Sequence, residues 1–220
     1  MKILVCSCDK DEDLFYPFHY FMEKYWPDHP EIIYSTETIL NPYYNTICKN
    51  YSLNEWTKRI RETAKEINDN EIIIMMDDLF ICNIPDIDRL NSLHNVLSDT
   101  NIACLNFEKQ FDEEDLDTEI EGFKCRRPHS KYEVSIMCGL WNKDKLIKVL
   151  ETDSDPWTVE KNCDDKGFLF YINSGDYIID WGYKTFKPTG LYRGKWMRRT
   201  VELLKKEGIN IDFSKRGILG

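Results

Sequence analysis

Residues 71–78 of this 220-residue chain have the sequence EIIIMMDD, an apolar run that ends in two adjacent aspartates. A continuous run of this length predicts a strand that is buried on both faces, as in a mostly parallel sheet. In open α/β sheets, ligands bind at the carboxyl ends of the strands. The run therefore predicts a central strand and, at Asp77 and Asp78, a polar site at its end.

The segments on either side of this run alternate between strand and helix patterns. Ser52 and Glu55 form a capping box, and Trp56, Ile60 and Ala64 then follow at helical spacing, which predicts a helix. Alternating strands and helices indicate βαβ units, so we expect one α/β domain. The other predicted elements are strands at residues 3–7, 31–35, 102–107 and 131–141, two short strands within 167–183, and helices at 13–25, 87–97, 143–150 and 196–206.

The composition is that of a globular protein, with 42% hydrophobic and 13% aromatic residues. No apolar run approaches the roughly 18 residues of a membrane-spanning helix. The first residues become charged too soon for a signal peptide. The eight cysteines lie mostly singly within apolar segments, which is typical of reduced, buried thiols. We therefore expect a cytoplasmic protein.

Charge is distributed unevenly along the chain. Overall, 39 acidic and 29 basic residues give a net charge of −10. The segment from Lys184 onward has ten basic and three acidic residues, so it carries +7 and the residues before it carry −17. This asymmetry indicates that the C-terminal segment meets an anion: a phosphate, an anionic acceptor or the inner face of a membrane. The acidic body argues against binding to nucleic acid.

Polar residues also follow the first predicted strand, where Ser7, Cys8 and Asp9 are expected at the same edge as the aspartate pair. Such a loop suits a base or a ribose, although an ordinary connecting loop has the same composition. Two aspartates at a strand end suit Mg²⁺ or Mn²⁺ holding a diphosphate. The alternative is that Asp78 caps a turn and Asp77 pairs with a basic neighbour. No GxGxxG or GxxxxGK[ST] motif is present.

Two further patches contain candidate functional residues. Residues 155–160, DPWTVE, place Glu160 near an indole, which can raise the pKa of a carboxyl group and make it a general base. The alternative is an acidic residue in the first turn of a helix. Arg193 and Lys195 are predicted at the start of the last helix, where they suit a phosphate; the alternative is a basic surface.

Five segments together resemble the bacterial GT-A-type glycosyltransferases that assemble capsule and lipopolysaccharide. They are ILVCSC at 3–8, SLNEWTKRIRETAKEI at 52–67, EIIIMMDD at 71–78, KYEVSIMCGLWNKDKLIKVLE at 131–151 and DPWTVE at 155–160. The resemblance implies a single GT-A-like, Rossmann-related domain over residues 1–220. Residues 1–108 would bind a nucleotide-sugar donor, and residues 109–220, with the basic segment, would bind a saccharide or lipid-linked acceptor.

The resemblance also implies roles for single residues. Asp77 and Asp78 match the family's metal motif, but Leu79 stands where its Asp-x-Asp pattern has the second carboxylate. Glu160 would be the base that activates the acceptor if the reaction inverts configuration. The expected donor contacts are Ser7, Asp9, Arg59, Arg193 and Lys195.

Two other functions remain open. One is a nucleotidyl or phosphoryl transferase that uses the same acidic pair for Mg²⁺, although the chain has no glycine-rich phosphate loop. The other is a catalytically silent relative that binds a sugar nucleotide or a partner protein. The departure from Asp-x-Asp at Leu79 is the feature that favours a silent relative.

Overall fold

A computed structural model describes residues 1–98, 100–109, 112–130, 132–162, 164–182 and 190–219. Lys184 and Lys187 of the basic segment lie outside these ranges. The strands are β1 Lys2–Cys6, β2 Ile32–Thr36, β3 Asn45–Cys48, β4 Glu71–Met76, β5 Ile102–Asn106, β6 Leu116–Asp117, β7 Phe123–Cys125, β8 Gly139–Asn142, β9 Leu169–Asn173, β10 Leu191–Tyr192, β11 Lys195–Met197 and β12 Ile218–Leu219. The α-helices are α1 Phe15–Tyr25, α2 Trp56–Glu66, α3 Ile87–Ser92, α4 Lys143–Val149, α5 Pro156–Asn162 and α6 Arg198–Lys206.

Nine strands form one large sheet in the order β3-β2-β1-β4-β8-β5-β9-β7-β6, and β10, β11 and β12 form a small second sheet. In the large sheet, β1 pairs in parallel with both β2 and β4, and β5 pairs in parallel with β9. Strand β8 runs antiparallel between β4 and β5, so β4 and β5 point the same way. The predicted mixed α/β domain with a mostly parallel sheet is confirmed.

The two faces of the sheet are covered by different helices because strand side chains alternate in direction. On one face, Ile3 and Val5 pack with apolar residues of α1, α3 and α6. On the other face, Leu4 and Cys6 pack with α2, α4 and α5. Strand β4 is buried on both faces, as its apolar run predicts.

Several predicted elements are confirmed. Ser52 and Glu55 make both hydrogen bonds of the capping box, and α2 follows them. Helix α1 begins at Phe15, after a 3-10 helix at Asp9–Leu14. The seven described cysteines are free thiols, as predicted. None of the helices in the described ranges is long and apolar enough to cross a membrane.

Three predictions about local structure were wrong. The strand predicted at 131–141 is found at Gly139–Asn142, because residues 132–138 form turns and bends that begin at Tyr132 with φ of 61°. Residues 174–182 form bends and irregular backbone rather than a second strand. The last helix begins at Arg198 rather than Trp196, because residues 191–197 form a hairpin. Residues 131 and 183 lie outside the described ranges.

Candidate functional site

The carboxyl ends of β1 and β4 lie side by side, because the two strands are parallel neighbours with Cys6 opposite Met76. The polar residues that follow them therefore meet. Ser7 Oγ donates a hydrogen bond to Asp77 Oδ2 at 2.5 Å, and the Asp77 residue is 4% exposed. Asp78 is partly exposed beside it. The structure thus brings together Ser7, Asp77 and Asp78, as predicted from the strand ends.

The aspartate pair carries more negative charge than its surroundings compensate. Burial raises the pKa of Asp77 well above its usual range, and the carboxylates of Asp11 and Asp78 raise it further. Burial and Asp11 also raise the pKa of Asp78, to about 7. The Ser7 hydrogen bond and the charge of Arg216 oppose these effects only in part. Buried carboxylates with this deficit of positive charge are a donor set that fits a divalent cation.

Arg216, from the basic C-terminal segment, lies close to this acidic group. Its Nε donates to Asp13 Oδ2 at 2.8 Å, and its Nη2 lies 2.9 Å from Asp11 Oδ1 and donates to the Lys10 carbonyl oxygen at 2.6 Å. The anionic partners of Arg216 are therefore carboxylates of the protein's own loop after β1, and not the phosphate, acceptor or membrane that the charge of the segment predicted.

Arg59 on α2 joins the residues that follow strands β1 and β2. It is 2% exposed, its Nη2 donates to the Ser7 carbonyl oxygen at 2.6 Å, and its Nη1 pairs with the Glu37 carboxylate. A buried guanidinium needs such partners because burying an unpaired charge is costly. In this structure Arg59 fixes the backbone beside Asp77, and its donors to Ser7 and Glu37 are directed at the protein itself.

Asp9, in the loop after β1, holds the backbone of the segment after β2 in place. Its carboxylate accepts hydrogen bonds from the amides of Thr38 and Ile39 at 2.9 and 3.0 Å and from the Thr38 hydroxyl at 2.5 Å. Partial burial acts to raise the pKa of Asp9, but these hydrogen bonds outweigh it and lower that pKa. The Asp9 amide donates to Glu37 Oε2 at 2.6 Å. Asp9 and Arg59 are therefore joined through Glu37.

Arg193 and Lys195 lie in the β10–β11 hairpin rather than at a helix start, and both are exposed. Arg193 and Gly194 form its turn, with φ of 52° and 72°. The hairpin is fixed beside the acidic pair through Gly190: a Cβ added there would lie 1.5 Å from the Asp78 carbonyl oxygen. Three residues span at most about 11 Å, so Arg193 follows close to this contact.

A surface groove of about 420 Å³ lies next to this hairpin. Apolar and cationic side chains line it together. The lining residues are Tyr192, Met197, Arg198, Arg199, Glu202 and Leu219.

Glu160 lies apart from the acidic pair. Its Oε1 accepts hydrogen bonds from Ser135 Oγ at 3.5 Å and from the Ile136 amide at 3.4 Å. Burial raises the pKa of Glu160, with these hydrogen bonds opposing it. The Trp157 indole is 58% exposed, so the 135–136 segment, and not the indole alone, buries this carboxyl group. Ser135 in turn contacts Asn106 at the end of β5, which lies two strands, about 9–10 Å, from β4.

Sequence reasoning missed four residues of this edge. Glu37 directly follows the end of β2, so the rule that parallel strands end at one edge could have found it. Asp11 and Asp13 lie in the loop after β1, but the sequence contains no signal for their pairing with Arg216, which is 203 or more residues away. Gly190 carried no local signal either, because its role depends on the close approach of the Asp78 backbone.

Neither a family model nor the sequence of a curated protein matches the chain. Among solved structures, the 2-C-methyl-D-erythritol 4-phosphate cytidylyltransferase from Thermus thermophilus is similar with a TM-score of 0.53 at 7% identity, over 94% of this chain and 98% of that one. This likeness shows a GT-A-like, Rossmann-related fold.

Two more distant structures are also similar. The bifunctional IspDF from Campylobacter jejuni has a TM-score of 0.43 at 11% identity, over 80% of this chain and 50% of that one. The galactosyltransferase LgtC, in complex with donor and acceptor sugar analogs, has a TM-score of 0.42 at 10% identity, over 75% of this chain and 68% of that one. The chain spans half the length of IspDF.

Proposed function

We propose that this protein is a glycosyltransferase that moves a sugar from a nucleotide-sugar donor to a carbohydrate or lipid-linked acceptor in cell-surface polysaccharide synthesis. The observation that carries the proposal is the aspartate pair at the end of β4, in which Asp77 is buried, Asp78 is partly buried and nearby positive charge is short. In the proposed arrangement, residues 1–108 bind the donor and residues 109–220 bind the acceptor.

The chain's own residues have distinct tasks in this proposal. Asp77 and Asp78 would hold Mn²⁺ or Mg²⁺, which when bound supplies charge that stabilises the departing nucleoside diphosphate. Ser7 orients Asp77 through its hydrogen bond, and Arg59 fixes the Ser7 backbone. Arg193 and Lys195, exposed on the hairpin, add positive charge for the diphosphate.

Glu160 is the proposed base for the acceptor. The acceptor hydroxyl oxygen bonds to the anomeric carbon, the bond from that carbon to the diphosphate oxygen breaks, and the hydroxyl proton passes to the Glu160 carboxylate. A carboxylate whose pKa is raised is a stronger base than an ordinary one, which suits a group that takes up a proton. We expect Glu160→Gln to lower kcat by about 100-fold or more with little change in donor Kd. The exposed Glu151→Gln is the matched control, and unchanged turnover in E160Q would remove Glu160 from the mechanism.

A nucleotidyltransferase is the second candidate, because the similar cytidylyltransferase covers 94% of this chain. The loop after β1 argues against it. Residues 9–14 have the sequence DKDEDL, with four acidic residues, one lysine and no glycine. The Asp9 amide is already hydrogen-bonded to Glu37. The loop therefore offers no glycine-rich cradle for a triphosphate.

The testing experiment is a thermal-shift screen followed by product identification. Sugar nucleotides, nucleoside diphosphates and nucleoside triphosphates are each added with and without Mn²⁺ or Mg²⁺, to the wild type and to Asp78→Asn. A ligand at 100 times its Kd stabilises by about 2.7 kcal/mol, which shifts melting visibly. We expect a metal-dependent shift with one sugar nucleotide that is lost in D78N, and release of nucleoside diphosphate when an acceptor is present.

Other outcomes of the same screen separate the alternatives. Pyrophosphate release from a triphosphate and a sugar phosphate would establish the nucleotidyltransferase instead. Binding of a sugar nucleotide with neither hydrolysis nor transfer would indicate a silent binding protein. A flat screen with every nucleotide would contradict both transferases.

The proposed location is the cytoplasm, with peripheral contact at the inner membrane face through the C-terminal segment. The groove beside the hairpin supports this, because Arg198 and Arg199 combine there with Tyr192, Met197 and Leu219. We expect co-sedimentation with anionic vesicles but not with neutral ones, and less of it for Arg198→Ala. Equal sedimentation with both vesicle types would contradict an electrostatic contact.

A further inference from the structure

A second group of ionisable side chains lies away from the aspartate pair. His129 and Glu133 belong to the turns between β7 and β8, and Asp165 belongs to the loop between α5 and β9. One ligand atom from each of the three lies within 4.8 Å of the others. His129 Nδ1 is 3.6 Å from Asp165 Oδ2, and the His129 amide donates to Glu133 Oε2 at 2.6 Å. Two loops distant in sequence thus converge on one point.

The two carboxylates of this group are largely shielded from water. Glu133 is 8% exposed and the Asp165 side chain is 13% exposed, whereas the His129 side chain is 87% exposed. Within the described residues, neither carboxylate lies within ion-pair distance of a lysine or arginine. A carboxylate this buried is normally compensated by a cation or coordinates a metal.

An independent observation comes from the same turn. The Ser130 hydroxyl oxygen is buried and has no hydrogen-bond partner in the described parts of the chain. Buried polar atoms are nearly always hydrogen-bonded, so an orphaned one indicates that a water, an ion or another group completes the surroundings. Ser130 immediately follows His129, so the unpaired hydroxyl lies in the turn that carries the imidazole.

We propose that His129, Glu133 and Asp165 bind a divalent transition-metal ion, with Zn²⁺ preferred. An imidazole nitrogen with two carboxylates suits Zn²⁺, whereas Mg²⁺ prefers oxygen ligands alone. Three protein ligands leave one position for water. The separation of 3.6 Å between His129 Nδ1 and Asp165 Oδ2 is close to the roughly 3.4 Å expected around a tetrahedral ion with bonds of about 2.1 Å, and the exposed imidazole can adjust to meet it.

The site lies far from the proposed donor site. The Arg126 amide donates to the Phe170 carbonyl oxygen near the start of β9, so the turn with His129 begins at the amino-terminal edge of the sheet. The aspartate pair lies at the opposite, carboxyl edge. Strands of five residues separate the two edges by about 13 Å or more. The ion would tie the turns after β7 to the loop before β9, and this proposal does not depend on the proposed function.

The test uses tag-free full-length protein that has been stripped with a chelator and then titrated with ZnCl₂ or MgCl₂ by calorimetry. The variants are His129→Ala, whose side chain is exposed and dispensable for packing, and Glu133→Gln. The matched control is Asp164→Asn, an exposed carboxylate next to Asp165 in the same loop. Circular dichroism confirms that each variant is folded, and H129A keeps the test valid if E133Q does not fold.

We expect the wild type and D164N to bind one more Zn²⁺ than H129A, and Zn²⁺ to raise the melting temperature of the first two only. Even loss of a residue that supports a metal ligand weakens binding by about 10- to 100-fold, so loss of His129 should weaken it at least tenfold. Equal Zn²⁺ stoichiometry and affinity in H129A and wild type would overturn the proposal. So would Mg²⁺ binding as tightly as Zn²⁺ at this site.

Discussion

The aspartate pair and the β10–β11 hairpin lie at the same edge of the molecule, but their charges are held in opposite ways. Asp77 is buried and Asp78 is partly buried, and burial and neighbouring carboxylates raise the pKa of both. Arg193 and Lys195 are exposed at a hairpin turn, where water solvates them. Buried charge acts on the free energy of folding before any ligand arrives, whereas exposed charge affects mainly ligand binding. Substitutions in the two regions should therefore have different signatures.

The largest expected change in stability follows from substituting the buried Arg59. Arg59→Ala removes the partner of Glu37 and a donor to the Ser7 backbone, so it should lower the free energy of unfolding by about 3–5 kcal/mol. Urea denaturation measures this loss. Lys58→Ala, which breaks a surface pair with Glu55 on the same helix, is the control and should change stability by less than about 1 kcal/mol. Equal effects of R59A and K58A would show that the buried network is not cooperative.

The contact that joins the two regions should show the next largest effect. Gly190→Ala places a Cβ against the Asp78 carbonyl oxygen at a φ of 112°, so it should destabilise the fold by about 3 kcal/mol. Gly194→Ala is the control, because φ there is 72° and no atom lies within 4 Å of an added Cβ. It should lose only about 1 kcal/mol. Urea denaturation of both variants compares them, and a tolerated G190A would mean that the hairpin is not fixed on the acidic pair.

Asp78→Asn should change how stability depends on pH. The pKa of about 7 in the folded protein lies above the value of 3.8 for a free aspartate, so the folded state binds the proton more tightly. The resulting stability is present below about pH 4 and is lost as pH rises through 7. At pH 8, D78N should be more stable than wild type by about 2–4 kcal/mol, since one pKa unit corresponds to about 1.4 kcal/mol.

Denaturation at pH 5 and pH 8 measures this change. The difference between D78N and wild type should shrink at pH 5, where wild-type Asp78 is largely protonated. Mn²⁺ at pH 8 should stabilise the wild type but not D78N, because the cation replaces the missing positive charge. A parallel pH dependence in both proteins would indicate that Asp78 has an ordinary pKa.

Substitutions in the exposed β10–β11 hairpin should have the smallest effect on stability. The double variant Arg193→Ala, Lys195→Ala should change the free energy of unfolding by less than about 0.5 kcal/mol. Its affinity for the donor diphosphate should nevertheless fall about tenfold, which is about 1.4 kcal/mol. Calorimetric titration with the nucleotide found in the screen measures this, with Lys161→Ala as a control for the loss of an exposed cation outside the hairpin. Unchanged affinity would exclude the hairpin from the donor site.

The difference between the aspartate pair and the hairpin also explains which parts of the fold could be predicted from the sequence. Strand β4 and helix α2 have their patterns in consecutive residues, so their positions and ends were predicted correctly. The meeting of Ser7 and Asp77 followed from the parallel order of β1 and β4. The hairpin was mistaken for a helix start, because its position depends on Gly190 and on the distant backbone of Asp78.

For the candidate site residues, the residues themselves could be predicted from the sequence but their partners could not. Arg59 was predicted as a residue of the site, but its partner Glu37 was not, and the pairing turns its guanidinium toward the protein. Glu160 was predicted as well, yet nothing in residues 155–160 indicates that the 135–136 segment covers it. Sequence patterns thus predicted chemistry that is local to a strand end, and missed the partners that tertiary folding supplies.

The ion pair of Arg216 with Asp13 has a consequence for synthesis in the cell. The two residues are 203 positions apart, so the acidic loop after β1 leaves the ribosome long before its arginine exists. At about 5–20 residues per second, that delay is roughly 10–40 seconds. During this time the loop carries its repelling carboxylates without compensation. We therefore expect the amino-terminal strands to reach their final stability only when translation has passed residue 216.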